Sequence, residues 1–142
     1  MQDKNKIGKC FAASVCSYDK NALIQKEVAE RLTHLILPQM KADRVLEIGC
    51  GTGLFTERFT QKVKVQTLYI NDLAPELCEC AARRAAATKT YTLVGDGERI
   101  DLPDDLDLIV SASCLQWFDD LSDFFPRMQQ KLNSTGQLVV AF

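Results

Sequence analysis

The stretch RVLEIGCGTGLF, residues 44–55, decides the fold of this chain of 142 residues. It opens with a short apolar strand, RVLEI (44–48), and then carries glycine at every second position, at Gly49, Gly51 and Gly53. Glycine admits positive φ angles and lets other groups approach the backbone closely. The residues that follow, GLFTERFTQK (53–62), have the spacing of a helix. A strand that leads through a glycine turn into a helix places an anion-binding site at the helix N-terminus.

Short apolar strands alternate with helices on both sides of this turn. Strands are predicted at 44–48, 65–71, 91–94, 106–112 and 137–142. Helices are predicted at 21–40, 53–62, 75–89 and 121–132, and NSTG (133–136) is predicted to be a turn. Such alternation is typical of βαβ units around a parallel sheet that helices cover on both faces. The sequence therefore predicts an α/β fold with a doubly wound parallel sheet.

The composition is that of an ordinary globular domain, with 46% hydrophobic and 25% charged residues. The net charge of −2 and the lack of a basic run give no reason to expect nucleic acid. We expect no membrane span and no signal peptide, because no apolar stretch approaches the roughly 18 residues of a span and the first ten residues lack an apolar core. The six cysteines form no C-x-x-C pair and His34 has no partner at ligand spacing. We therefore expect reduced cysteines, no metal and a cytoplasmic location.

The acidic residue before the glycines narrows the choice of ligand. Dinucleotide-binding turns have the pattern G-x-G-x-x-G, but here the third glycine comes one position early and position 54 is leucine. The carboxylate of Glu47 would repel a pyrophosphate and attract an ammonium, with a charge-assisted hydrogen bond worth ~1.5–3 kcal/mol. A ligand with an amino-acid end and an adenosine end fits both features, because its ammonium can meet Glu47 and its carboxylate can meet the helix N-terminus. S-adenosylmethionine is such a ligand.

The ends of the later strands offer groups for the adenosine half. Asp72 follows the second strand and suits the ribose hydroxyls, and Leu73 suits the face of adenine. After the third strand, Asp96 suits the exocyclic amine of adenine and Gly97 leaves room for the ring, and Ser111 ends the fourth strand. Each acid alone is equally well explained as a helix cap or a solvated loop residue. Their order at successive strand ends favours a nucleotide-cofactor site.

The strings VLEIGCGTGLF, NDLAP, GDGE and DLIVSASCLQWFDDL together resemble the class I S-adenosylmethionine-dependent methyltransferases over about residues 40–142. The resemblance implies a Rossmann-like sheet of seven strands in the order 3-2-1-4-5-7-6, of which this chain supplies the part 3-2-1-4-5. It also implies that the glycine turn, Cys50 included, contacts the cofactor. We expect residues 1–40 to form a helical segment over the cofactor site and residues 41–142 to form a core that is incomplete at its C-terminus.

A narrower resemblance is carried by CFAASVCSYDKNALIQKEVAERL (10–32) and LQWFDDL (115–121). These segments are similar to those methyltransferases of biotin synthesis that act on the free carboxylate of malonyl-acyl carrier protein. The resemblance implies that Tyr18 lies over the cofactor with Phe11 nearby, and that Gln116 and Trp117 face the methyl acceptor. The alternatives are that Phe11 and Tyr18 only anchor a helix and that Trp117 only packs above the sheet.

Methyl transfer to a carboxylate makes few demands on side-chain chemistry. The leaving thioether, which makes S-adenosylhomocysteine the product, is neutral, and a carboxylate acceptor is already an anion near pH 7. We therefore expect no catalytic acid or base and a mechanism of positioning in a dry site. The expected partner is malonyl-acyl carrier protein or a small carboxylate. The alternatives are a methyltransferase for another small molecule, a nicotinamide-dependent oxidoreductase, and a non-catalytic interaction module of the same fold.

The last predicted strand raises a separate expectation. An apolar strand at 137–142 would have a bare outer edge, which needs a covering strand or another chain. We therefore expect either further chain beyond this strand or self-association through its edge.

Overall fold

The structure is a computed structural model, and it describes residues 3–13, 22–36 and 42–142. Its strands are β1 (Arg44–Ile48), β2 (Thr67–Asp72), β3 (Lys89–Val94), β4 (Leu106–Ala112) and β5 (Leu132–Ala141). Its helices are α1 (Lys4–Ala13), α2 (Leu23–Ile36), α3 (Leu54–Lys62), α4 (Pro75–Arg84) and α5 (Leu121–Lys131), with a short 3-10 turn at Leu115–Trp117.

The five strands form one sheet in the order β3-β2-β1-β4-β5, and each neighbouring pair is parallel. The predicted fold class and strand order are therefore confirmed. The chain moves outward from β1 in one direction to β3 and then returns to start β4 on the other side of β1. This reversal is the switch point at which open α/β sheets bind their ligands.

Two hydrophobic layers cover the two faces of the sheet. On one face, helices α2, α3 and α4 pack on residues such as Val45 and Leu68, which are 0% and 1% exposed. On the other face, α5 packs through Phe124 and Met128 against Leu46 and its neighbours. Strands β1 and β4 are buried along almost their whole length, and each lies inside the sheet with a strand on either side.

Helix α4 is shorter than its sequence predicts. It was expected to continue to residue 89, but it ends at Arg84, and Ala85 is already extended. The amide of Ala86 donates to Oγ1 of Thr60 at 2.9 Å, and the amide of Thr88 donates to the carbonyl of Val65 at 3.1 Å. These tertiary hydrogen bonds draw the alanine run out of the helix and lead it into β3.

Strand β5 is longer than predicted, because it begins at Leu132 rather than at residue 137. Its register against β4 jumps, since Leu106 pairs with Leu132 whereas Leu108 pairs with Gln137. Turn chemistry persists inside this irregular segment, where the amide of Thr135 donates to Oδ1 of Asn133 at 3.1 Å. The predicted turn is therefore present as an interruption within a strand.

Helix α1 has no counterpart among the predicted helices, although a helical segment was expected within residues 1–40. It lies on the carboxyl-end side of the sheet, where Gly8 comes so close to Leu73 that an added Cβ would stand 3.2 Å from the Cβ of that residue. The division of the chain at residue 40 stays a prediction, because residues 37–41 are outside the described part.

Candidate functional site

A cleft lies at the carboxyl ends of the strands. Its empty volume is about 1120 Å³, with the open solvent at its entrance included. Its walls come from α1, from the turn between β1 and α3, and from the segments that follow β2, β3 and β4. The predicted site residues that line it are Glu47, Gly49, Cys50, Gly51, Asp72, Leu73, Asp96, Gly97 and Trp117. The structure therefore brings together residues from four strand ends.

Each of the three glycines of the turn has a positive φ angle, and the surroundings of the three differ. Gly49 has φ +72° and a Cβ there would overlap the sulfur of Cys114. Gly53 has φ +89° and a Cβ there would stand 2.6 Å from the Cα of Ala81 in α4. Gly51 has φ +52° and nothing within 4 Å of the position of its missing Cβ. The backbone at Gly51 therefore borders open space, and it is the accessible part of the turn.

The carboxyl of Glu47 is buried in the cleft, with the residue only 2% exposed. The hydroxyl of Thr56 donates to its Oε2 at 2.6 Å. Burial raises the pKa of Glu47 to about 8; the Thr56 hydrogen bond opposes this rise and the neighbouring Asp72 adds to it. No basic side chain of the described residues contributes to this balance. The site thus holds an acid that a bound cation would ionise.

Asp72 joins the end of β2 to the glycine turn. Its Oδ2 accepts a hydrogen bond from the amide of Gly51 at 2.9 Å, and its Oδ1 accepts a longer one from Ala74 at 3.4 Å. Burial raises the pKa of Asp72, and the backbone hydrogen bond from Gly51 works against that shift. The amide of Gly51, which the sequence suggested for a ligand anion, therefore already has an anionic acceptor within the protein.

The loop after β3 is held by an amide that sequence analysis did not single out. Nδ2 of Asn71 donates to the carbonyls of Leu93 and Gly95 at 2.7 and 2.9 Å. A Cβ on Gly97 would stand 2.8 Å from Oδ1 of the same asparagine. Glycine at position 97 therefore lets the loop pack against the end of β2, and this places Asp96 in the cleft wall.

Lys4 of α1 reaches the carboxylate of Asp96. Its Nζ donates to Oδ1 and Oδ2 at 3.2 and 3.0 Å, donates to Glu98 as well, and lies 3.7 Å from Oδ2 of Asp119. No sequence pattern indicated this contact, because Lys4 and Asp96 are 92 positions apart and no motif relates them.

Three predicted site residues that the structure describes are not among those that line the cleft. Gly53 packs against α4, and the buried hydroxyl of Ser111 donates to the carbonyl of Ile48 at 2.9 Å. Gln116 is exposed and donates to the carbonyl of Ser113 at 3.1 Å. Tyr18 lies outside the described residues, as does the side chain of Phe11. After β4 the cleft is lined instead by Ala112, Ser113, Cys114, Trp117 and Phe118.

The thiols at the site are poorly suited to nucleophilic chemistry. Burial raises the pKa of Cys114 to about 12. A hydrogen bond with Cys78 and burial together raise the pKa of Cys50 well above its usual value. Both sulfurs therefore carry their protons near neutral pH. Among the described residues there is no group of side chains suited to hold a metal ion, and no helix there is long and apolar enough to cross a membrane.

The fold and the cleft match one class of protein. A family model described as a methyltransferase domain matches residues 46–140, and the chain belongs to this family. The structure of the N-methyltransferase NodS from Bradyrhizobium japonicum, in complex with S-adenosyl-L-homocysteine, superposes with a TM-score of 0.77 at 24% identity, over 94% of this chain and 71% of that one. A S-adenosylmethionine-dependent methyltransferase from Clostridium acetobutylicum gives 0.70 at 19% identity, over 92% and 56%. These two likenesses support the fold.

The names of the curated relatives are more specific than the description of the family model. A malonyl-acyl-carrier-protein O-methyltransferase of Bacteroides thetaiotaomicron is 32% identical over 136 residues, which are 94% of this chain and 52% of that protein. The enzyme of the same name from Calditerrivibrio nitroreducens is 39% identical over 124 residues, 85% of this chain and 47% of its own length. The chain thus spans about half the length of the curated relatives it matches.

Proposed function

We propose that this protein is a methyltransferase that binds S-adenosylmethionine in the cleft at the carboxyl ends of the strands. The observation that carries the proposal is the buried carboxyl of Glu47, which lines the cleft with no cationic partner among the described residues. A buried acid of this kind is stabilised in its charged form only when a cation is supplied. An α-ammonium group provides that charge.

The other cleft residues fit the remainder of such a ligand. Open space at Gly51 allows a close approach to the backbone. Asp72 and Asp96 offer carboxylate oxygens to hydroxyl and amine donors, and Leu73 and Phe118 provide apolar surface for a nucleobase. A dinucleotide is disfavoured, because its pyrophosphate would meet the acids at positions 47 and 72 near the turn.

When bound, S-adenosylmethionine would supply an electrophilic methyl group on a sulfonium. The contribution of this chain is positioning. Glu47 fixes an ammonium, and the hydroxyl of Thr56 holds the carboxyl of Glu47 in place. Trp117 and Phe118 give the wall of the cleft an apolar surface that would lie against a bound ligand and displace water from it. The protonated thiols of Cys50 and Cys114 take no part as nucleophiles.

We further propose malonyl-acyl carrier protein as the methyl acceptor, or another small carboxylate. Two lines support this choice: the names of the curated relatives, which are 32% and 39% identical, and the chemistry of the site. A carboxylate needs no general base, and the residues lining the cleft include no histidine. The same proposal includes contacts between Lys and Arg residues of this chain and the acidic carrier protein.

Calorimetric titration tests the cofactor. We expect the protein to bind S-adenosylhomocysteine, and we expect Glu47→Gln to weaken this binding by about tenfold or more, which is the loss of one charge-assisted hydrogen bond. Glu79→Gln, which makes the same change at an exposed acid outside the lining of the cleft, is the matched control and should bind as the unaltered protein does. Binding of a nicotinamide dinucleotide with no response to S-adenosylhomocysteine would reverse the assignment.

A transfer assay tests the acceptor. The protein is incubated with S-adenosylmethionine that carries a labelled methyl group and with acceptors of three kinds: malonyl-acyl carrier protein, hydroxyl compounds and amines. Label on the malonyl carboxylate is the expected result. Label only on an amine or a hydroxyl would contradict the acceptor while leaving the methyltransferase assignment intact.

A further inference from the structure

The mouth of the cleft contains a cluster of three carboxylates around one lysine. Lys4 donates to Asp96 and Glu98 and lies 3.7 Å from Asp119. Its side chain is only 14% exposed, and its Nζ also lies 5.4 Å from the centre of the Phe118 ring. A buried position with this many partners is unlike an ordinary surface ion pair, which contributes little.

The carboxylates come from two separate loops. Asp96 and Glu98 follow β3, whereas Asp119 follows the 3-10 turn after β4. Glu98 already connects the loops, because it accepts hydrogen bonds from the amides of Asp119 and Asp120 at 3.1 and 2.8 Å. Repulsion among the acids weakens this connection, and the lysine ammonium offsets that repulsion; Arg99 adds a second, more exposed cation 3.6 Å from Oδ2 of Asp96.

Lys4 keeps its charge in this setting. Burial works to lower the pKa of Lys4, but its hydrogen bonds with Glu98 and Asp96 outweigh burial and raise it. Burial likewise works to raise the pKa of Glu98, but the hydrogen bond from Lys4 contributes to lowering it. Lys4 and Glu98 therefore both carry their charges near neutral pH.

The same lysine belongs to the helix that covers the cleft. Lys4 and Gly8 lie one turn apart on α1, and both line the cleft. Gly8 rests against Leu73, where an added Cβ would stand 3.2 Å from the Cβ of Leu73. Among the side chains of α1 that the structure describes, the helix thus meets the cleft through an ionic contact at its start and a close apolar contact a turn later.

We infer that Lys4 is a positioning residue: its ammonium fastens α1 across the cleft and holds the loops after β3 and after the 3-10 turn together as one wall. The inference deepens the proposed function and rests on it where ligand binding is concerned. Lys4 acts through α1 and through Asp96, whose carboxylate it orients.

The test compares Lys4→Gln with Lys4→Arg, which restores the charge, and with Lys6→Gln, which removes an exposed charge from the same helix. We expect Lys4→Gln to raise the Kd for S-adenosylhomocysteine about tenfold, chiefly through faster dissociation. Lys4→Arg should recover most of the affinity, and Lys6→Gln should bind as the unaltered protein does. Glu98→Gln removes the charge of the partner carboxylate in the same ion pair and should reproduce the Lys4→Gln effect.

Amide hydrogen exchange on the ligand-free protein supplies a second readout. Lys4→Gln should increase exchange in residues 4–13 and 95–99 and leave β1 and β4 unchanged. Unaltered exchange in both segments would overturn the inference, and so would an unaltered Kd in a protein that binds. If the unaltered protein does not bind S-adenosylhomocysteine, the proposed function fails, and hydrogen exchange alone then decides the role of Lys4.

Discussion

Glu47 carries the chemistry of the site at the scale of a single residue. Taking a carboxylate out of water without a paired cation is costly, so the group keeps its proton instead. Burial accordingly raises the pKa of Glu47 to about 8, against a usual value of 4.5. This shift affects both the stability of the protein and the way it binds a cation.

The stability of the ligand-free protein should fall as the pH rises from about 4.5 to about 8. In this window the folded state holds a proton on Glu47 that the unfolded state has lost, so unfolding is favoured by higher pH. The full effect is on the order of 5 kcal/mol. Urea unfolding of the protein and of Glu47→Gln at several pH values measures it. A stability difference between the two that does not change with pH would contradict the assignment.

Binding of S-adenosylhomocysteine should release a proton near neutral pH. The ammonium favours the ionised form of Glu47, which is mostly protonated in the free protein below pH 8. Affinity should therefore rise with pH up to about that value. Calorimetry in buffers with different ionisation enthalpies counts the protons, and Glu47→Gln should abolish the release. Equal heats in all buffers would show that Glu47 is already charged before binding.

Gly51 and Gly53 should respond differently to alanine, although both have positive φ angles. Left-handed backbone costs alanine about 1–2 kcal/mol at either position. Gly53→Ala should lose more, because its Cβ would stand 2.6 Å from the backbone of Ala81. Gly51→Ala should lose about the backbone cost alone and should weaken ligand binding. Denaturant titration gives both losses, and equal values would mean that α4 yields easily at Gly53.

Local motifs explain which residues could be predicted. Glu47, Asp72 and Asp96 each lie within two residues of the carboxyl end of a strand, and parallel strands bring such ends to one edge of the sheet, so their meeting followed from the sequence. Ser111 is likewise one residue from the end of β4, but its hydroxyl is directed to the carbonyl of Ile48. Lys4 and Thr56 were missed, because their partners are chosen by tertiary packing rather than by spacing.

At the scale of elements, tertiary hydrogen bonds override propensity. The run of alanines after Arg84 favours a helix by composition, yet α4 ends there. The reason is Thr60 of α3, which accepts from the amide of Ala86 and donates to the carbonyl of Thr56. No sequence pattern connects a threonine in one helix to the end of the next.

Removing the hydroxyl of Thr60 should therefore destabilise the protein. Thr60→Val keeps the shape of the side chain and leaves the amide of Ala86 without its acceptor, at an expected cost of about 1–3 kcal/mol. Thr60→Ser retains the hydroxyl and serves as the matched control, with a smaller loss. Urea unfolding measures both, and equal losses for Val and Ser would show that the methyl group matters and the hydroxyl does not.

At the scale of the whole molecule, the parallel α/β class followed from the alternation of strands and helices, and the strand order followed from the resemblance to class I methyltransferases. The start of β5 did not, because its first residues pair across a jump in register and include a polar turn. β5 lies at one edge of the sheet. Self-association through that edge stays a prediction. The curated relatives are about twice as long as the part that matches this chain, so further chain is the other candidate to cover the edge.

A crystal structure of the protein with S-adenosylhomocysteine would show what the cleft holds. We expect the amino-acid end of the ligand to place its ammonium at Glu47 and its adenosine to lie between the segments that follow β2 and β3. An empty cleft at saturating ligand, or a ligand whose ammonium lies away from Glu47, would contradict this expectation.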